Sequence, residues 1–164
     1  MDTAAIFDRL RQRFGDRVVD TGLEAKDPWV AIKPEDLFEV SRYLHDDPQL
    51  AFDCLSNLTG VDLKAQDLLQ AVYHLYSYPH RHKLVLKVST PRPDPSIPSV
   101  ENIWKAANWL EREAFDLVGI VFTGHSDLRR LLLPEDWIGY PLRKDFVEPE
   151  EYHGISTRRE SLLR

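Results

Sequence analysis

Leu68-Leu69-Gln70-Ala71-Val72-Tyr73-His74-Leu75-Tyr76 is the stretch on which the reading of the fold turns. It is rich in Leu, Val and Tyr, and β-branched and aromatic residues favour a pleated, half-buried surface, so it predicts a strand over 68–76. A second strand is predicted over 84–88. Ser77-Tyr78-Pro79-His80-Arg81-His82-Lys83 between them reads as a hairpin-like connection. Upstream, 17–20 and 29–32 read as two short strands around a polar loop. The stretch 52–63 is ambiguous between helix and strand, with Thr59, Gly60 and Val61 favouring a strand in its second half.

Helical patterns frame these strands. Ile6, Phe7, Leu10 and Phe14 share one face of a predicted helix over Thr3–Phe14, with Thr3 as N-cap and Gly15-Asp16 as its stop. Pro34 opens a second helix, where Glu35 and Asp36 favour the positive end and Leu37, Val40 and Leu44 form the apolar stripe. The stretch 90–98 carries four prolines and should run extended, because proline removes a backbone donor and blocks a regular helix. Ser99 then reads as the cap of a longer helix whose seam is Ile103, Ala107, Leu110, Ala114 and Leu117, ended by Gly119. Short extended pieces follow at 120–122 and 128–133. The predicted class is α+β: two N-terminal helices and one longer central helix on a mixed, mostly antiparallel sheet. Residues 1–140 form a single domain in this reading. Residues 141–164 form an extended tail with little periodicity, which either stays mobile or lies on something else.

Composition narrows the function. The chain has 164 residues and a formal net charge of -6. That size buries roughly 68–70% of the unfolded surface, so no disulfide or metal staple is required. Mean hydropathy is -0.39 and no apolar run approaches a bilayer span. The first residues lack the basic-then-apolar order of a secretory signal. A pI near 5.5 argues against general nucleic-acid binding. A single cysteine, Cys54, excludes an intramolecular disulfide and any all-cysteine zinc or iron–sulfur site. The expectation is a soluble intracellular protein.

Few motifs carry chemistry. There is no GxGxxG, no P-loop, no GxSxG and no HExxH. His80 and His82 alternate beside His74, as a metal site would; a solvated hairpin tip fits better, because no nearby Cys or carboxylate completes a ligand set. Cys54 fits a distant-His nucleophile or a core thiol, and its neighbours Phe52 and Leu55 favour the core. Consecutive His125, Ser126 and Asp127 cannot easily form a hydrolase triad. On the central helix, Arg112 and Asp116 are four apart and able to pair. Glu111 and Glu113 lie on different sides. They read either as an acid/base pair raised by burial or, preferably, as anchors for loops or a partner. Residues 123–145 mix turn residues, paired cations and Trp137, as a catalytic loop or an arginine–aromatic docking segment would.

Glu111-Arg112-Glu113-Ala114-Phe115-Asp116-Leu117-Val118-Gly119-Ile120, then Phe122, Gly124-His125, Asp127-Leu128-Arg129-Arg130 and Leu132-Leu133-Pro134, resembles the signature of the C-subunit family of NADH-quinone oxidoreductase, respiratory complex I. Asp136-Trp137-Ile138-Gly139-Tyr140-Pro141-Leu142-Arg143-Lys144-Asp145 resembles the family's C-terminal motif. The resemblance is sharpest over 98–145 and weaker upstream. Val118 stands where an aromatic is usual in the family, and Ser126 where proline is usual.

The resemblance implies a non-catalytic scaffold subunit of the hydrophilic arm, in the form that is not fused to the quinone-site D subunit. It implies no cofactor on this chain, while the holoenzyme carries FMN, iron–sulfur clusters and quinone. The implied partners are other complex I subunits, chiefly the D subunit, with the B and I subunits nearby. The implied location is peripheral, on the cytoplasmic side of the inner (cytoplasmic) membrane and reached only through the complex. Glu111, Arg112, Glu113 and Asp116 are then expected as charged anchors within the fold. His125, Arg129, Arg130, Trp137, Arg143, Lys144 and Asp145 are expected at the interface. Two other readings remain, beside that of a pure adaptor unrelated to respiration. One is the equivalent subunit of a membrane-bound hydrogenase or other-donor quinone oxidoreductase. The other is a free-standing enzyme using Glu111, Glu113 and His125.

Overall fold

The structure, a computed structural model, describes residues 2–157. The expected tail therefore lies partly outside the described residues. Helix α1 (Thr3–Phe14) buries Ile6, Phe7, Leu10 and Phe14. Its cap is Asp2 rather than Thr3: the Asp2 carboxylate accepts from the Ala5 N–H, one of the donors the first turn leaves unpaired. Strand β1 (Val18–Gly22) and strand β2 (Trp29–Ile32) form an antiparallel pair. One 3-10 turn, Pro34–Asp36, leads into α2 (Leu37–Asp46), which buries Leu37, Val40 and Leu44.

Three ten-residue strands follow: β3 (Cys54–Leu63), β4 (Leu68–Ser77) and β5 (His82–Pro91). The ambiguous stretch is thus a strand nearly throughout, with a register shift between Leu55 and Asn57. The five strands form one sheet in the order β1-β2-β5-β4-β3. All pairs are antiparallel except β2 with β5, whose parallel pairing follows from the α2 crossover. In β4 burial alternates strictly, and Leu69, Ala71, Tyr73, Leu75 and Ser77 are the buried set. The apolar members of that set join the buried faces of α1 and α2 in one core.

The proline-rich stretch ends in a short strand, β6 (Ser96–Pro98), paired in parallel with β7 (Val121–Thr123). Between them lies α3 (Ala107–Val118). The expected start at Ser99 is wrong by two turns. Residues 101–103 and 105–106 are turns, and Ser99 caps no α-helix: its hydroxyl oxygen accepts the Glu101 N–H at the start of those turns. Its hydroxyl donates instead to the buried carboxylate of Glu111, which folds 99–106 back across the helix. Trp104, in that return, donates its indole N–H to the Phe52 carbonyl. No strand forms at 128–133.

Two sequence readings of single residues change. Cys54 is only half-buried, at the start of β3, because its side chain is on the less covered face of the sheet. His82 is buried rather than solvated: its Nε2 meets the Leu50 carbonyl at 2.7 Å and its ring stacks on His80. Among the described residues no three His, Cys, Asp or Glu side chains come together as a metal site would require.

α3 lies against β3 at Gly60, where an added Cβ would stand 3.0 Å from a Val118 methyl. It ends on Gly119 in the left-handed region, φ +83°. Here a Cβ would also fall 2.6 Å from the Tyr140 ring and 2.7 Å from the Arg143 guanidinium. Gly119→Ala is therefore expected to lose about 1–3 kcal/mol from backbone strain alone. Urea unfolding should show the lower midpoint. A wild-type midpoint would mean that residue 119 is not held in the left-handed region at the helix end.

Candidate functional site

The polar side of α3 holds the loops on either side of it through two buried carboxylates: Asp116 takes the segment that follows β7 and Glu111 the loop after β6. Asp116 is fully buried. Its Oδ2 accepts the N–H groups of Leu131, Leu132 and Leu133 at 3.0, 2.7 and 2.9 Å. Its Oδ1 takes Arg130 Nη1 at 2.8 Å. Three consecutive amides converging on one oxygen form a tight concave loop, which is why 128–133 is not the extended piece expected. Burial by itself would raise the Asp116 carboxyl. The amides of Leu131, Leu132 and Leu133 with Arg130 outweigh it and hold the group below the ordinary aspartate value.

Arg130 has further partners. Its Nη2 donates to the carbonyls of Trp137 and Gly139, at 3.0 and 3.3 Å, so one guanidinium joins α3 to the next loop. Arg112 does not pair with Asp116 as the i,i+4 spacing suggested. It donates to the carbonyls of Arg129 and Arg130, at 3.2 and 3.3 Å, and lies under the Trp109 ring at 5.2 Å. Asp116 is taken up by the loop amides, and Arg112 serves the carbonyls of the same loop.

Glu111 forms the second joint. Its Oε2 accepts from Ser99 Oγ at 2.6 Å and its Oε1 from the Val100 N–H at 2.8 Å. Beside it, Glu101 accepts from Ser126 N–H and from Asn108 Nδ2, both at 2.6 Å. His125 is not on the surface. Its side chain is buried, with Nε2 2.9 Å from the Asn108 carbonyl and 3.5 Å from Glu101. Glu113 is apart from all of these, exposed on the side of α3 facing Leu58 and Leu142. Glu111, Glu113 and His125 therefore do not converge on one cavity, as an acid/base site would need.

The last of the expected site residues lie along 137–145. Arg143 donates to the Val118 carbonyl at 2.8 Å and packs on the Tyr140 ring, so it closes the end of α3. The Lys144 side chain is exposed, while its backbone N–H donates to Asp62 at 2.8 Å. Asp145 pairs with Arg92, which also pairs with the buried Asp62. Arg129 is exposed and paired with Asp127. Trp137 is half-buried between Phe146 and Tyr152. Sequence reasoning missed Ser99, Glu101, Asp62 and Arg92. All four act across long sequence separations, and no local spacing marks them.

These joints fix a backbone whose outer side chains are apolar and open. Ile138 and Val147 are 87% and 84% exposed, and Leu132, Leu142 and Ile155 are exposed with them. Asp136, Trp137, Ile138, Val147, Pro149 and Tyr152 line a cleft of about 220 Å³. Apolar side chains held open to solvent beside a polar-bonded backbone are the kind of surface that a neighbour can cover.

Residues 30–152 match the family model of the respiratory-chain NADH dehydrogenase 30 kDa subunit. The chain is 44% identical to the NADH-quinone oxidoreductase C subunit of a Roseiflexus species (strain RS-1), over 88% of this chain and 84% of that one. To the corresponding C subunit of Chlorobium phaeobacteroides it is 41% identical, over 92% of each. Among solved structures it resembles a trypsin-resistant fragment of Nqo5, with TM-score 0.62, 29% identity, and 78% of this chain and all of that one covered. It also shares its fold with a chain of an archaeal membrane-bound sulfane sulfur reductase, with TM-score 0.75 at 21% identity over 88% and 85% of the two chains.

Asp116→Asn removes the charge facing Arg130 and turns one acceptor into a donor. Breaking one side of a buried pair costs about 3–5 kcal/mol. Because the Asp116 pKa is depressed in the fold, its contribution is present above the ordinary aspartate range and is lost as pH falls through the folded value. Denaturant midpoints against pH should fall on the acid side for wild type, and the contribution of this group to that fall should vanish in Asp116→Asn. Equal acid slopes would mean that the loop is not held by this carboxylate.

Proposed function

The chain belongs to the family of the respiratory-chain NADH dehydrogenase 30 kDa subunit, and from that membership we propose that it is a scaffold subunit of the hydrophilic arm of NADH-quinone oxidoreductase, complex I. The enzyme carries electrons from NADH to quinone and couples this to cation translocation. This chain contributes position rather than chemistry. Its partners are the other complex I subunits, chiefly the D subunit, with the B and I subunits nearby. FMN, the iron–sulfur clusters and the quinone belong to the rest of the complex. Attachment to the cytoplasmic side of the inner membrane comes through the complex, and no helix among the described residues is long and apolar enough to cross a membrane.

One observation carries the scaffold reading: Leu132, Ile138 and Leu142 stand exposed on a backbone tied to the core by Asp116, Arg130, Arg143 and Asp62, and Val147 and Ile155 stand exposed in the segment that follows. Hydrophobic side chains held open on a fixed frame lose little further backbone freedom on association. Their burial against a neighbour is worth roughly 25 cal/mol per Å².

The test is recovery of the complex from native membranes in mild detergent, using the tagged chain. Wild type is expected to bring down flavin and iron–sulfur subunits together with NADH-to-quinone activity. The double variant Ile138→Asp, Val147→Asp should keep the wild-type thermal midpoint and lose most of that recovery, ten-fold or more. Undiminished recovery would move the docking surface elsewhere, and recovery of the wild-type chain alone would end the subunit reading.

A further inference from the structure

β3 is one edge of the five-stranded sheet, and its outer side has no strand beside it. Among the described residues its backbone bonds to the backbone of β4 and of no other segment. After the register shift between Leu55 and Asn57 the pairing with β4 runs unbroken to Leu63. The outward N–H and C=O groups of that stretch therefore form a regular, unpaired ladder. The usual protections of an edge are missing. β3 holds no Lys, Arg or Pro, and its one charged residue, Asp62, is buried and taken by Arg92 and the Lys144 amide. The opposite edge, β1, is protected: it has five residues, a register shift between Val18 and Asp20, and an exposed Asp20. Beside the open edge α3 supplies a wall. Residues 57–60 form one side of a shallow groove of about 60 Å³, faced by Ala114 and Leu117 of α3 and by Leu142. Glu113 also lines it, exposed and with no ion-pair partner among the described residues.

We propose that the open edge of β3 receives an extended strand of a neighbouring protein, which lengthens the sheet and lays alternate apolar side chains into the groove against α3. The neighbour is another subunit of the complex, and in this the inference rests on the scaffold reading. Main-chain bonds along β3 give such a contact its affinity. The groove gives it selectivity, because successive side chains of a strand point to opposite faces. The incoming segment is therefore defined by its chemistry. It carries apolar residues at every second position, facing Leu58, Ala114, Leu117 and Leu142, and a Lys or Arg placed to meet Glu113. A helix does not fit this edge, since its backbone donors and acceptors are already spent within itself. Leu142 also belongs to the exposed apolar residues of the segment after β7, so the groove continues that surface.

The experiment compares residue-resolved amide exchange over 57–63 in the isolated full chain and in the complex recovered from native membranes. In the isolated chain the amides facing β4 are expected to be protected, and the alternate ones facing outward to exchange freely. In the complex the outward amides should slow by about ten-fold or more. A contact made by side chains alone would leave the alternation as it was. The double variant Asn57→Lys, Thr59→Lys sets cations along the edge at exposed positions, as natural edge strands do to refuse a partner. It should keep the wild-type thermal midpoint and lose about ten-fold of the recovered complex. Glu113→Lys should lower recovery by about three-fold and keeps the test open if the double variant does not fold. A complex whose outward β3 amides still exchange freely would overturn the inference and leave the scaffold reading standing. Recovery of the chain alone would overturn both. An isolated chain that is a dimer with those amides already protected would also overturn it, because a second copy would then fill the edge.

Discussion

Asp116 accepts three consecutive backbone amides and one arginine from a position with no solvent access, and the whole second half of the chain is arranged around that fact. A buried carboxylate without such partners would be costly enough to stay protonated or to force the helix apart. With them it becomes the point where an irregular segment is fastened to a regular one. The loop over 128–133 has little hydrophobic core of its own, so its backbone donors need a destination, and one carboxylate supplies it for three of them.

The same logic continues outward. Arg130 spends its remaining donors on the Trp137 and Gly139 carbonyls, Arg143 donates to the Val118 carbonyl, and Asp62 receives the Lys144 amide. Each of these bonds ties the segment after β7 to the core or to itself. The segment therefore holds its shape through polar bonds on its inner side. Its apolar residues, Ile138 and Val147 above all, remain on the outer side, free for a neighbour. A protein that must present a fixed surface without a large core beneath it is served by this division.

Glu111 differs from Asp116 in one respect that matters. At Glu111 burial outweighs the groups that favour the anion, whereas at Asp116 the amides of Leu131, Leu132 and Leu133 with Arg130 outweigh burial, so the two acids on one helix are pushed in opposite directions. Sequence spacing could not separate them, since each is simply an acidic residue in a helical stretch.

Local signals settled much of the fold. The strand over Leu68–Ser77, the Leu37, Val40 and Leu44 stripe, the stop at Gly119 and the extended proline-rich stretch each follow from residue type and period, which are properties of a few neighbouring positions. The family is legible for a related reason: a long run of specific residues over 98–145 is unambiguous without any geometry. What the sequence left open needed partners distant along the chain. Ser99 reads as a helix cap until Glu111 takes its hydroxyl, and Arg112 reads as the mate of Asp116 until the 131–133 amides arrive first. His125 and Arg130 read as surface residues, yet the fold turns both inward because buried carbonyls and carboxylates need donors. Periodicity reports which face of an element is apolar. Only the tertiary structure decides which buried polar group satisfies which, because that choice depends on where far-apart backbone atoms are brought together.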